Sequence, residues 1–136
     1  MGILIDSDLL IHLERRSSDL ERYIEGREDE EFFLSVISAS ELLHGVYRAE
    51  APKVRNRRLA LVEAVLESFP LIEIDLAIAR SHARLWSDLR KQGTMIGVHD
   101  SWLAATCLAY DLTLVTRNLR EFQRVPGMRA EAWDWK

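Results

Sequence analysis

The sequence predicts an α/β fold: a central, mostly parallel sheet of four to five strands between two layers of helices. Two observations carry this reading. Short apolar runs alternate with longer stretches of helical periodicity along all 136 residues. The apolar runs, such as GILI at 2–5 and FFLSV at 32–36, are too uniformly hydrophobic for one-sided exposure, as expected of strands covered on both faces. Strand–helix alternation also gives right-handed crossovers, which place the strand C-termini on one edge.

Taken in order, residues 2–5 form the first strand and helical turns follow to about 13. A helix over 17–26 opens with Ser17 or Ser18 as its cap and stops at Gly26. Residues 32–36 read as a strand and 38–50 as a helix, which Pro52 interrupts. Over 53–68, Leu59, Leu61, Val62, Val65 and Leu66, with Phe69 just beyond, recur at near-helical spacing until Pro70 breaks the pattern. Residues 71–74 (LIEI) form a strand, and Asp75 caps a long helix over 76–92. A loop with two glycines covers 93–99, and Asp100 starts a mostly apolar helix to 110. Residues 113–115 are a strand, and 129–133 (RAEAW) add an edge strand. No repeat, low-complexity tract or linker appears, so a single domain spanning 1–136 is expected, long enough to bury a core.

Hydrophobic residues make up 48% and charged residues 29%, which fits a globular domain and excludes disorder. The single cysteine, Cys107, rules out an internal disulfide and reads as a small buried hydrophobe. The start, MGILIDSDLL, is too short and acidic for a secretory leader, and no apolar run reaches membrane-spanning length. A cytoplasmic protein without membrane contact is therefore expected. A net charge of −4 and a pI near 5.6 argue at first against nucleic acid. The charges are unevenly spread, however. Glu28, Asp29, Glu30 and Glu31 form an acidic cluster, Lys53, Arg55, Arg57 and Arg58 a basic one, and Arg15 and Arg16 a second basic spot. Each cluster alone reads as a solvated surface; together they leave room for a basic rim that guides a polyanion.

Asp6, Glu41, Asp100 and Asn118 each sit near a junction between an apolar run and a helical pattern. If the sheet is parallel, Asp6, Glu41 and Asn118 converge on its C-terminal edge, where open α/β sheets bind ligands. Asp100 joins them if its helix packs beside that edge. Singly, each has a plainer role. Ser38-x-x-Glu41 matches a capping box, while Asp6, Asp100 and Asn118 suit helix or turn caps. Jointly the case changes, because two carboxylates about 4 Å apart repel by about 4 kcal/mol at an effective dielectric of 20. Gathering three requires a cation, a proton or a basic partner, and a hard divalent metal is the simplest choice.

The runs LIDSDLLIHL, S-x-x-S-x-x-E-L-L-H-G (with Ser35, Ser38, Glu41 and Gly45), IGVHDSWLAA and LVTRNLREF-x-x-VPG resemble the PIN-domain ribonucleases, and within them the VapC-type toxins of toxin–antitoxin pairs. The resemblance covers nearly the whole chain, with motifs in the right order and spacing. It implies a PIN-like three-layer fold and an Mg²⁺-dependent ribonuclease in which Mn²⁺ can substitute. Asp6, Glu41 and Asp100 match the acidic metal ligands, Asn118 a fourth catalytic position, and Thr116 the small hydroxyl residue beside the site. His99 departs from the asparagine common before the third acid. The implied partners are an RNA substrate, a cognate antitoxin and a second copy of the chain, with a higher assembly around the antitoxin. Trp133 and Trp135 could then serve the core or an interface.

Two rival classes follow from the same residues. Asp6 at a strand end could accept phosphate in a flavodoxin-like module, but Arg117-Asn118 stands where such modules need a lysine, and no glycine-rich phosphate loop is present. A non-catalytic interaction protein would have no use for all three acids. The histidines His12, His44, His82 and His99 allow metal-free acid–base cleavage in principle, but only His99 adjoins a candidate site residue.

Overall fold

The computed structural model describes residues 2–13 and 25–133, without the side chains of 11–13. The expected helix over 17–26 falls outside these residues except for its end, where Gly26 turns the chain with φ 86°. Arg15, Arg16 and Trp135 also lie outside them.

Five strands form one all-parallel sheet in the order β3-β2-β1-β4-β5: β1 (Gly2–Ile5), β2 (Glu31–Ser35), β3 (Leu71–Ile72), β4 (Thr113–Thr116) and β5 (Arg129–Ala132). Around it lie α1 (Ser7–Leu13), α2 (Val36–Tyr47), α3 (Pro52–Ser68), α4 (Leu76–Gln92), α5 (Val98–Tyr110) and α6 (Leu119–Phe122). β1 occupies the centre, and successive residues feed opposite cores. Ile3 and Ile5 pack with Leu9, Leu10, Leu42, Val46, Val62 and Trp133 on one face, while Leu4 packs with Leu85, Leu89, Leu103, Cys107 and Phe122 on the other. The uniformly apolar strand is thus explained: both of its faces are covered.

Local chemistry sets the helix ends. The Ser35 hydroxyl accepts the Ile37 N–H at 3.0 Å, so α2 starts at Val36, two residues before the expected start. Ser38 therefore lies inside the helix, buried and without a side-chain partner, and the expected capping box with Glu41 does not form. Similarly, α5 begins at Val98 behind Gly97, so Asp100 sits in the first turn and is not its cap. Pro52 opens α3 at a position where its missing N–H costs nothing. Asp75 does cap α4, accepting the Ile78 N–H at 2.8 Å, and Gly93 ends that helix in the left-handed region at φ 69°.

β3 is shorter than the expected 71–74, since Asp75 already turns the chain into α4. It pairs in register with Leu34 and Ser35, and the Leu34 N–H donates to the Pro70 carbonyl at 3.0 Å. Pro70 has no donor of its own, which suits an edge. Trp133 is a core residue at 2% exposure, its indole packed near Phe32 and under the Arg27 guanidinium. Cys107 is equally buried, and burial pushes its thiol up to about 12, so it packs as a hydrophobe.

Candidate functional site

The site is built from the chain turns just beyond the strand C-termini. β1 ends at Ile5, and its ladder continues one step as the Asp6 N–H donates to the Val115 carbonyl at 3.0 Å. This fixes the Asp6 backbone to β4. Its carboxylate is only 6% exposed and accepts a hydrogen bond from the Thr116 hydroxyl, Oγ1 to Oδ2, at 2.8 Å. Thr116 Oγ1 in turn accepts the Asn118 N–H at 3.0 Å. One fully buried hydroxyl therefore joins the ends of both central strands.

From Asp6 a chain of contacts runs across the edge. The Ser7 hydroxyl donates to Glu41 Oε2 at 3.2 Å, and Glu41 Oε1 lies 3.5 Å from His99 Nδ1, next to Asp100. Oε1 is otherwise buried without a hydrogen-bond partner. Burial above all, then the neighbouring Asp8, pushes Asp6 up to about 7, with Asp100 and Glu41 adding to the rise and the Thr116 hydroxyl opposing it. Burial likewise lifts Asp100 to about 6, helped by Glu121, Glu41 and Asp8 and opposed by His99. Glu41 thus acts on both Asp6 and Asp100, and Asp100 on Asp6, so the three acids lie within electrostatic reach of one another.

Asn118 differs from the three acids. It precedes α6, but its exposed side chain makes no capping bond, so the plain cap role fails. Its backbone is tied to the site through Thr116.

Three members were not singled out from the sequence: Ser7, Asp8 and Glu121. Asp8 lies two residues past Asp6, where an acid in a first helical turn has an ordinary dipole explanation. Glu121 comes from α6 and accepts the Gly97 N–H at 3.4 Å, tying α6 to the start of the Asp100 helix. Beside the acids, a groove of about 450 Å³ runs from Ser7 and Glu41 past His44 and His99 to Arg48 and Arg58. The basic cluster thus splits in use. Arg55 bonds the carbonyls of Ala49 and Glu50, bracing the turn before α3, and Arg58 lines the groove.

Anionic oxygens, two of them pressed toward neutrality, and a buried carboxylate oxygen without a hydrogen bond suit a hard divalent cation. Among the described residues, no group of three His, Cys, Asp or Glu side chains stands in metal-holding geometry, so the acids do not form a closed cage. No helix among the described residues is long and apolar enough to cross a membrane.

The sequence matches the PIN domain family over residues 3–128. It is 32% identical over 128 residues to Ribonuclease VapC1 of Rickettsia felis, covering 94% of this chain and 93% of that protein. It is also 34% identical over 100 residues to the tRNA(fMet)-specific endonuclease VapC of Salmonella typhimurium, covering 74% of each. In structure it is similar to the DNA-bound VapBC of Salmonella typhimurium, with a TM-score of 0.87 and 27% identity over 98% of this chain and 99% of that one. VapBC2 of Rickettsia felis, bound to a promoter DNA fragment, superposes at a TM-score of 0.88 with 22% identity over 98% of this chain and 100% of that one, a likeness of fold.

Proposed function

The chain belongs to the PIN domain family, and from that premise we propose that it is a metal-dependent endoribonuclease, the toxin of a toxin–antitoxin pair. The single observation that carries the reading is Asp6: a buried carboxylate, raised to about 7 by burial and by the acids around it, at the C-terminal edge of a parallel sheet. Such a cluster costs stability unless a cation offsets it, and functional sites are where such costs are retained.

Asp6, Glu41 and Asp100 are the proposed ligands, directly or through water, of Mg²⁺, with Mn²⁺ as a substitute. Mg²⁺ keeps several waters and needs only one or two carboxylates, so an open arrangement serves it. The bound cation supplies an activated water at neutral pH and offsets charge on the phosphate. The chain supplies the rest. Thr116 holds Asp6 in one orientation through Oδ2, and Ser7 and His99 hold Glu41 from either side. Arg48 and Arg58, in the groove that begins at Glu41, are placed to take RNA phosphates at that edge. Several relatives are named as ribonucleases, and the Salmonella typhimurium neighbour is a VapBC complex, which supports an RNA substrate and a cognate antitoxin here. A second copy of the chain is the further partner we propose. The protein is expected to act in the cytoplasm.

Sequencing RNA ends after a brief pulse of expression tests this directly. New ends are expected at a restricted set of positions, all absent with Asp100→Asn at equal protein level. The same ends from both proteins would sink the catalytic reading.

Asn118 contributes an amide oxygen without charge, suited to orienting water or supporting a second ion. Asn118→Asp should therefore tighten Mn²⁺ binding about tenfold by calorimetry, because affinity follows ligand charge. Unchanged or weaker affinity would place Asn118 outside the metal shell and leave Asp6, Glu41 and Asp100 as the ligands.

A further inference from the structure

Three aromatic rings stack on the flank of the site, and nothing in the proposed chemistry uses them. His82 of α4 lies face to face with Trp102 of α5, with centroids 3.6 Å apart and planes 7° apart. On α4 itself, Trp86 stacks beside His82 at 5.6 Å and 18°. Ser101 fixes the middle ring. Its only proton goes to the Val98 carbonyl at 2.5 Å, so His82 Nε2, 2.9 Å away, must donate to the serine oxygen. Burial lowers the His82 pKa, which keeps the ring neutral and favours stacking.

The stack continues into positive charge. His82, Trp86 and Arg90 are spaced four apart, so they form one stripe along α4. They line an open concavity of about 630 Å³ together with Ala83, Ser87 and Lys91. Its two charged residues, Arg90 and Lys91, are both cationic, in a protein whose net charge is −4. α4 runs roughly 15 Å past His82 before Gly93 ends it. Because His82 meets the first turn of α5, which also carries Asp100, that extension rises beside the active-site edge. The loop after it is tied to the region of α6 by Gly97 N–H to Glu121 and by Arg124 to the Met95 carbonyl at 3.0 Å.

We propose that this face is a secondary binding site for single-stranded RNA, with an unpaired base stacking on the Trp86 indole and Arg90 and Lys91 taking the adjoining phosphates. Indoles accept any base on their π-face, and nearby cations track the backbone without reading sequence, which is how single strands are held without base readout. The rigid Trp102–His82 stack behind Trp86 keeps the platform in place before RNA arrives. The site would position substrate strands flanking the scissile bond. It rests on the ribonuclease reading for its choice of ligand.

The test is fluorescence anisotropy with a labelled, unstructured RNA 12-mer and the full-length protein in EDTA, so that binding is read without cleavage. Trp86→Ala should weaken binding about tenfold, the loss of one stacked base, and Trp86→Phe should recover most of it. Arg90→Ala with Lys91→Ala should flatten the salt dependence by about one to two phosphate contacts. In cleavage assays with Mg²⁺, Trp86→Ala should raise KM for a long single strand and leave kcat unchanged. Cleavage by all variants with wild-type affinity would overturn the site while the nuclease reading stands. RNA bound through Trp86 without any cleavage would uphold the site and sink the nuclease. Loss of a dimer in Trp86→Ala by light scattering, with unchanged RNA affinity per chain, would make this face a contact between copies and overturn the proposal.

Discussion

Asp6→Asn is expected to lower Mg²⁺-dependent RNA cleavage by at least about a hundredfold, since loss of even an outer-shell partner typically costs 10- to 100-fold. The substitution keeps the size of the side chain and its bond to the Thr116 hydroxyl, and removes the charge at the centre of the cluster. Activity should not return at high Mn²⁺, and the fold should be intact by near-ultraviolet circular dichroism. In cells, wild-type overexpression should arrest growth, and the variant should relieve the arrest at equal protein level. Full cleavage by the variant would reduce Asp6 to a structural residue and remove the proposed metal centre.

The second large effect is on stability, and its sign depends on pH. In the metal-free folded protein Asp6 titrates near 7, against an ordinary 3.8. The folded state therefore binds the proton more readily than the unfolded chain. Stability from this group is fully present below the ordinary value and is lost as pH rises through about 7. The whole shift corresponds to at most about 4 kcal/mol, shared with Asp100 and the other acids. Without metal at pH 8, Asp6→Asn should thus melt about 5 °C or more above wild type. At pH 5 the gap should narrow, because folded Asp6 is then protonated, and it should close only below the ordinary value of 3.8, where the unfolded chain is protonated as well. Comparing the two proteins at each pH cancels the titration of groups that do not interact with Asp6. Mg²⁺ at a hundredfold excess over its dissociation constant should stabilise wild type by about 2.7 kcal/mol and the variant hardly at all. A variant less stable than wild type at pH 8, and still stabilised by Mg²⁺, would show that Asp6 is no ligand.

Much of this was legible in the sequence because parallel strands force junction residues to one edge. The expected placement of Asp6, Glu41 and Asn118 follows from that rule, Thr116 came only from the family resemblance, and the double-sided burial of β1 follows from its unbroken apolar run. Helix starts were less legible. Ser38 and Asp100 both have good capping chemistry, but Ser35 and Gly97 take the cap positions first, and capping preference alone does not choose among neighbours. Those shifts matter, since they free Glu41 and Asp100 from capping and leave them to the site. Asp8, Ser7 and Glu121 were hidden for a different reason. Their roles arise from tertiary proximity, and each sits where a helix turn would accept an acid or hydroxyl anyway. The Trp102–His82 stack likewise joins two helices, and neither helix's own spacing records it.

The bond between Thr116 and Asp6 spans 110 residues, and this separation has a consequence in time. A ribosome adding about 5–20 residues per second makes the second partner roughly 6–20 s after the first. Through that interval the central strand lacks its β4 neighbour, Asp6 lacks its donor, and the Asp100 helix has yet to be made or to dock. A chain with the proposed activity would thus lack its assembled site, beside the message and the ribosome that produce it, until β4 has emerged and paired. The topology acts as a clock, and it gives an antitoxin made beforehand several seconds to be waiting when the site closes.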